Sequence, residues 1–70
     1  MKDVGITNEP VELYKILKFD GMVASGAEAK IVIANGQVLV NGNVEIRKRK
    51  KIVSGDVIEF AGETIRIQHK

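Results

Sequence analysis

The sequence predicts an α+β fold, with two packed N-terminal helices followed by a small, mainly antiparallel β-sheet of three to five short strands. Three observations support this prediction. Apolar residues recur at helical spacing between Leu13 and Leu17, and a second apolar segment begins behind a good N-cap at Ser25. After Gly36, short β-branched segments alternate with turn residues. The length of 70 residues allows one domain, spanning positions 1–70.

The first helix is predicted over about Pro10–Phe19. The Thr7-Asn8 pair supplies a candidate cap, and a proline suits the first turn, where a missing N–H costs nothing. The apolar side chains within Leu13–Leu17, Tyr14 included, form one stripe that is expected to face the core. Upstream of the helix, Met1–Ile6 is expected to form a short edge strand.

The second helix is predicted over about Gly26–Asn35. Ser25 caps it, and Glu28, three residues later, completes a capping box. Apolar side chains occupy most of its circumference, which predicts a mostly buried helix whose alanines let a neighbour approach closely. Lys30 emerges among apolar neighbours, where it can lay its stem on the core and keep its ammonium group in water.

The rest of the chain is predicted to be β-structure. Val38–Val40 and Asn43–Ile46 are the arms of a hairpin, and Asn41-Gly42 is a strong turn signal between them. Val57–Phe60 alternates as a further strand. Thr64–Gln68 is predicted to close the sheet with its two isoleucines on one face.

Composition excludes several classes of site. The chain has no cysteine, so disulfides, thiolate metal sites and cysteine nucleophiles are excluded. Its single histidine, His69, has no partner at catalytic or metal-binding spacing, so we expect neither enzymatic activity nor a cofactor or metal. The longest apolar run, Ile31–Ala34, is far shorter than the ~20 residues of a membrane span. No secretory signal follows Met1, so we expect a cytoplasmic protein with no membrane partner.

The strongest functional signal is a run of five consecutive cations among the eleven basic residues: Arg47, Lys48, Arg49, Lys50 and Lys51. Neither alternate set of positions in this basic run is apolar, so it is expected to project into solvent as a loop or a protruding hairpin end. At ~3.3 Å per extended residue, the five charges fall within roughly 16 Å and repel one another unless a polyanion is near. A solubilising face is the simpler explanation, but five consecutive cations favour binding to the phosphates of a nucleic acid.

Two further features are candidate contacts with simpler explanations. The free N–H groups of Gly26-Ala27 could receive a phosphate, although Glu28 already serves the same helix dipole and a plain capping box explains these residues. The Asn41 amide could contact RNA near the cations, but its first role is the turn. Because Tyr14 and Phe60 fit core stripes, the sequence gives little support to a base-stacking platform.

The stretch SGAEAKIVIANGQVLVNG, residues 25–42, together with the basic segment after it and Ser54-Gly55-Asp56, resembles the alpha-L RNA-binding domain. This domain type occurs in small-subunit ribosomal protein four, in many pseudouridine synthases and in bacterial tyrosyl-tRNA synthetases. The family pattern is a serine or small cap, a helix with alanine and basic residues, then G-x-V-x-V-N-G and a later G-D. Leu17-Lys18-Phe19 with Gly21, and the basic run, resemble the small stand-alone bacterial members more closely still.

The resemblance implies the alpha-L RNA-binding fold and a non-catalytic monomer that grips structured RNA, with ribosomal or transfer RNA as the expected partner. It implies RNA contacts at the start of the second helix and in the basic residues after the hairpin turn. Matched by position, these contacts are Ser25, Lys30, Asn41, Arg47, Lys48, Arg49, Lys50 and Lys51, with Lys18 added near the helix pair. Many members have arginine directly after the capping serine, where this chain has Gly26, so the basic run is expected to carry a larger share of the binding.

Two other classes of protein compete with this interpretation. Ubiquitin-like sulfur carriers are similarly small and also contain a V-N-G turn and a later G-D. Their chemistry needs a C-terminal glycine pair, whereas this chain ends in Ile67-Gln68-His69-Lys70, so we do not expect that activity. The second alternative is a protein-interaction module that uses the basic run on an acidic partner, and the sequence leaves it open.

Overall fold

The computed structural model describes all 70 residues and contains two helices and seven strands. In chain order the elements are β1 (Lys2–Ile6), β2 (Val11–Glu12), α1 (Leu13–Phe19), α2 (Gly26–Ala34), β3 (Val38–Val40), β4 (Asn43–Val44), β5 (Lys51–Ile52), β6 (Val57–Phe60) and β7 (Glu63–His69). The predicted α+β architecture with two helices is confirmed.

Five of the strands form one mixed sheet in the order β1-β7-β6-β3-β4, and β2 and β5 form a separate two-stranded sheet. Strand β1 is parallel to β7, with Val4 opposite Ile67, while the other pairs of the sheet are antiparallel. The mainly antiparallel sheet and the N-terminal edge strand are therefore confirmed. The predicted last strand is present as β7 with both of its isoleucines buried, but it does not form the edge of the sheet, because β1 pairs with its outer side.

Helix α1 begins at Leu13, not near Pro10 as predicted. The chain before it is extended because Val11-Glu12 pairs with Lys51-Ile52 to form the small sheet. The predicted cap in Thr7-Asn8 is wrong for the same reason, since those residues lie before the small sheet and no side chain caps the helix. A contact between distant parts of the chain thus sets this helix boundary.

Helix α2 lies within one residue of its predicted bounds, but it is not mostly buried. Only Ala29 and Ile33 are fully buried, and Ile31 is 60% exposed. The helix packs mainly on α1. A single neighbouring helix covers only one side of α2, so only residues one turn apart on that side become buried. Of the three alanines predicted to allow close approach, Ala29 is fully buried, whereas Ala27 and Ala34 are exposed.

One hydrophobic core joins the helices to both sheets. Its 14 buried residues are Val4, Ile6, Leu13, Ile16, Leu17, Val23, Ala29, Ile33, Val38, Val40, Ile52, Ile58, Ile65 and Ile67. Ile52 of the small sheet is fully buried, so burial of this side chain holds β5 beside α1 at the end of the basic run. Neither helix has the length and apolar character that crossing a membrane requires.

Candidate nucleic-acid interface

The basic run lies against the start of α1 and does not form a protruding hairpin end. Its backbone makes this contact: the N–H of Leu13 donates to the Lys50 carbonyl at 2.9 Å, and the N–H of Tyr14 donates to the Lys48 carbonyl at 3.1 Å. These carbonyls satisfy two of the N–H groups that a helix leaves unpaired at its first turn. The side chains of the run stay exposed apart from the half-buried Lys50. The expected solvent-facing loop is confirmed for residues 47–50, whereas Lys51 begins strand β5 opposite Glu12.

Three cations from three different segments surround the ring of Tyr14. Lys30 of α2 lies 4.8 Å from the ring centroid, Arg49 of the basic run lies 5.6 Å away, and Lys15 of α1 lies 5.9 Å away. A ring face attracts cations at these distances, which offsets part of their mutual repulsion. Tyr14 therefore gathers the charges of both helices and the loop into one basic surface.

Two carboxylates neutralise part of this surface. Glu12 contacts Lys15 and Arg49, each at 3.2 Å, and the hydrogen bond from Lys15 is the main cause that lowers the pKa of Glu12. Glu45 accepts two hydrogen bonds from the Arg47 guanidinium, at 2.8 and 3.0 Å. These side-chain bonds lower the pKa of Glu45 to about 2 and raise the pKa of Arg47.

The remaining predicted cations carry no ion pair. Within 4.0 Å, no carboxylate oxygen contacts Lys18, Lys30, Lys48, Lys50 or Lys51. Their charges are available to a ligand without breaking an existing pair. The basic run therefore divides into two guanidinium groups held by protein carboxylates and three ammonium groups that are not.

The start of α2 borders the same surface. Ser25 Oγ accepts a hydrogen bond from the Glu28 N–H at 3.1 Å, as predicted. Glu28 Oε1 accepts from the Ala24 N–H at 2.7 Å, not from the N–H of Ser25, so the reciprocal half of the capping box is shifted by one residue. A Cβ at Gly26 would lie 3.8 Å from the Tyr14 ring. A side chain at position 26 would therefore lie beside the ring of Tyr14.

Asn41 lies in the turn after β3, where its side chain hydrogen-bonds the turn before β6 and none of the cations around Tyr14. Its Nδ2 donates to Asp56 Oδ1 at 3.0 Å, and its Oδ1 accepts from the Val57 N–H at 2.9 Å. The second carboxylate oxygen of Asp56 accepts from the Val53 N–H at 3.0 Å. The asparagine of the N-G turn and the aspartate of the later G-D thus join two turns, which explains physically why both belong to the family pattern.

Sequence reasoning missed the aromatic residues of the site. Tyr14 packs against the core as expected, but it is only half-buried, and the cations around its ring were not predicted. Phe19 is 75% exposed at the end of α1. One signal was available, since each aromatic is next to a lysine, in Tyr14-Lys15 and Lys18-Phe19. That adjacency is common on amphipathic helices, so it became informative only when the folded chain placed Lys30 and Arg49 beside it.

A comparison with protein families matches residues 4–68 to the model of the S4 domain. The chain belongs to the S4 domain family. The resemblance, which the sequence supported over roughly residues 10–60, is therefore confirmed, and the match to the family extends over residues 4–68.

Two curated relatives match most of this S4 domain. The putative RNA-binding protein YbcJ of Escherichia coli is 54% identical over 57 residues, which cover 81% of each protein. The probable ribosome maturation protein RlbA of Bacillus subtilis is 34% identical over 59 residues, covering 84% of this chain and 83% of RlbA.

Two solved structures share the fold. The solution structure of E. coli YbcJ, described as having an alpha-L motif involved in RNA binding, superimposes with a TM-score of 0.74 and 48% identity over 97% of this chain and 87% of YbcJ. The 30S ribosomal protein S4e of Thermoplasma acidophilum gives a TM-score of 0.72 and 31% identity, covering 86% of this chain but 32% of S4e. The alpha-L fold predicted from the sequence is thereby confirmed.

Proposed function

We propose that this S4 domain is a non-catalytic RNA-binding protein that grips structured RNA with the basic surface around Tyr14. The observation that carries the proposal is the convergence of Lys30, Arg49 and Lys15 within 5.9 Å of one ring, from three separate segments. Glu12 pairs with two of these three cations, so three positive charges and one negative charge leave the cluster a net charge of +2. A ligand with closely spaced negative charges would neutralise the remainder. A phosphate backbone has that property, and its neutralisation releases counterions.

Structured RNA fits this surface better than a flexible strand. The cations stand on two helices and on a loop whose backbone is hydrogen-bonded to α1, so their spacing is set by the fold. A fixed array of charges selects a backbone of fixed shape, and the shape of folded RNA is what such surfaces recognise. The names of YbcJ, RlbA and S4e support RNA, and ribosomal RNA in particular, although transfer RNA has the same chemistry.

We assign the contacts as follows. The unpaired ammonium groups of Lys48, Lys50 and Lys51 take phosphates directly, and Lys18 and Lys30 extend the surface along the two helices. Arg47 and Arg49 contribute after partial release from Glu45 and Glu12. The proposed contacts, for one copy of the protein per site, are Ser25, Lys30, Asn41, Arg47, Lys48, Arg49, Lys50, Lys51 and Lys18.

The experiment replaces Arg47–Lys51 with glutamines and measures binding of a labelled stem-loop RNA by fluorescence anisotropy between about 50 and 200 mM salt. We expect an intact fold, because the hydrogen bonds that hold the loop on α1 come from its backbone carbonyls, and the exposed ion pairs of Arg47 and Arg49 contribute little to stability. We expect much weaker binding, with the logarithmic salt slope reduced by about 0.7–0.9 for each lost phosphate contact.

Single substitutions provide a matched control. Lys48→Gln and Arg66→Gln each remove one positive charge, but Arg66 lies on β7 in an ion pair with Asp3, outside the proposed surface. Only Lys48→Gln is expected to lower the salt slope. Equal binding by the neutral variant and the parent would refute the assigned surface, and absence of RNA binding by the parent would refute the function. If polyglutamate competes as well as RNA, the acidic-protein alternative replaces the proposal.

A further inference from the structure

Phe19 is the exposed aromatic residue of this S4 domain. It is the last residue of α1, and 75% of its surface is accessible to solvent. The other exposed large apolar residues are Met1, Ile31, Val44, Ile46 and Val53, which are all aliphatic. A flat ring in this position offers a π face that none of them can offer.

Two open clefts include Phe19 in their lining. One is lined by Tyr14, Lys15, Lys18, Phe19 and Gly26. The other lies between α1 and the end of β1, and its lining includes Ile6, Lys15, Phe19 and Lys70. No Asp or Glu residue lines either cleft, although Glu12 pairs with Lys15 from outside them at 3.2 Å. Lys18 is the lysine of the first cleft that has no ion pair.

Two features keep the first cleft open and cationic. Gly26 has no side chain to fill the space beside the Tyr14 ring, although a Cβ there would make only an ordinary contact at 3.8 Å. Asp20, the residue after Phe19, does not offset the charge of the cleft. Its side chain is only 6% exposed, and it pairs with Lys2 at 2.9 Å.

We propose that Phe19 stacks on an unpaired base of the bound RNA while Lys15 and Lys18 hold the phosphates next to that base. A nucleotide combines a planar ring with an anionic group, which matches an exposed ring flanked by two lysines, one unpaired (Lys18) and one shared with Glu12 (Lys15). Stacking on an aromatic side chain accepts any base, so the ring selects an unpaired nucleotide and not a sequence. The first cleft is bordered by Tyr14, so it continues the basic surface. The inference rests on the proposed function and adds the class of RNA: a folded RNA with a bulged or looped-out nucleotide beside its stem.

The test uses two RNA hairpins with the same stem and loop, one of which carries a single bulged 2-aminopurine. We expect the parent protein to prefer the bulged hairpin and to quench the fluorescence of the 2-aminopurine on binding. Phe19→Ala should bind the bulged hairpin about 5- to 150-fold more weakly, which is the affinity change expected for the loss of one stacked base. It should bind the fully paired hairpin as tightly as the parent does. Phe19→Trp should keep both the preference and the quenching.

Two further variants sharpen the test. Val44→Ala removes another exposed apolar side chain, on β4, and should leave both affinities unchanged. Gly26→Gln fills the first cleft without changing charge and should reduce binding of the bulged hairpin selectively. Because Phe19 is largely exposed, Phe19→Ala is expected to melt at the parent temperature, which separates binding from folding.

The outcomes are distinguishable. If the parent binds both hairpins but Phe19→Ala retains the preference and the quenching, the inference is wrong and the proposed function stands. If sedimentation shows that the parent self-associates and Phe19→Ala does not, while RNA binding is unchanged, the ring is a protein contact and the inference is again wrong. If the parent binds neither hairpin, the proposed function is refuted, and the inference that rests on it is refuted with it.

Discussion

Replacing Asn41 by alanine should destabilise the protein far more than its exposed position suggests. The asparagine side chain donates to Asp56 and accepts from the Val57 N–H, so it fastens the turn after β3 to the turn before β6. Its backbone also adopts a positive φ of 53°, a conformation that asparagine tolerates and alanine does not favour. Alanine therefore removes two hydrogen bonds and adds backbone strain.

The magnitude follows from these two contributions. Each lost side-chain hydrogen bond removes about 0.5–1 kcal/mol, the lower part of the usual range, because the groups are exposed. Alanine in the left-handed region costs about 1 kcal/mol more. The total is about 2–3 kcal/mol of unfolding free energy, which for a domain of this size lowers the melting temperature by roughly 10–20 °C.

Thermal and urea unfolding followed by circular dichroism measure this loss, with two comparison variants. Asn41→Gly removes the same hydrogen bonds without the left-handed strain, because glycine adopts positive φ freely. It should therefore lose about 1 kcal/mol less unfolding free energy than Asn41→Ala. Asn43→Ala removes an amide from the same turn that makes only one long hydrogen bond, at 3.4 Å, to the Asn41 carbonyl. We expect Asn43→Ala to change the free energy of unfolding by less than about 0.5 kcal/mol.

A melting temperature of Asn41→Ala within one or two degrees of the parent would refute this account of the turn. A loss equal to that of Asn43→Ala would do the same, because the two variants differ in the contacts just described. RNA affinity measured well below both melting temperatures then tests the predicted Asn41 contact separately. One hydrogen of the Asn41 amide remains for RNA, so the structural and binding roles are compatible.

Two further predictions concern the carboxylates of the basic surface. Glu45→Gln should flatten the acid dependence of stability. Arg47 lowers the pKa of Glu45 from 4.5 to about 2, so its contribution is present above pH 4.5 and is lost as the pH falls through about 2. The parent and the variant should converge across that window in urea titrations, and a constant difference would contradict the assignment. Glu12→Gln should tighten RNA binding and steepen its salt dependence by releasing Lys15 and Arg49, as measured by anisotropy; unchanged or weaker binding would count against it.

Local sequence signals predicted the features of this fold that depend on neighbouring residues. The Ser25 cap, the Asn41-Gly42 turn and the bounds of α2 and β6 all follow from residues a few positions apart. The start of α1 does not. It depends on the pairing of Val11 with Ile52, two residues far apart in the chain. Nothing in the local sequence around either residue indicates this pairing. The parallel pairing of β1 with β7 escaped prediction for the same reason.

The candidate site was predicted in part. The five consecutive cations predicted the basic run directly from the sequence, and the family resemblance added Lys30 and Lys18 as candidate contacts. The sequence could not show that Tyr14 would be the meeting point, because a tyrosine on an apolar helical stripe has the same pattern whether its ring faces the core or a lysine. Nor could charge alone show that Glu12 and Glu45 hold two of the cations, since each pair depends on the path of the loop.

The loop that bears the basic run has separate tasks for its backbone and its side chains. The carbonyl oxygens of Lys48 and Lys50 accept hydrogen bonds from the first N–H groups of α1. Their partial negative charge interacts favourably with the positive N-terminal end of the helix dipole. If the ammonium groups lay there, they would oppose the same dipole, so the fold places them outward. The contact with α1 therefore depends mainly on the loop's backbone, the Arg47 and Arg49 ion pairs add a smaller contribution to stability, and RNA binding is the role we propose for the side chains. Substitutions in the side chains can change RNA affinity without unfolding α1, whereas shortening the loop should damage both.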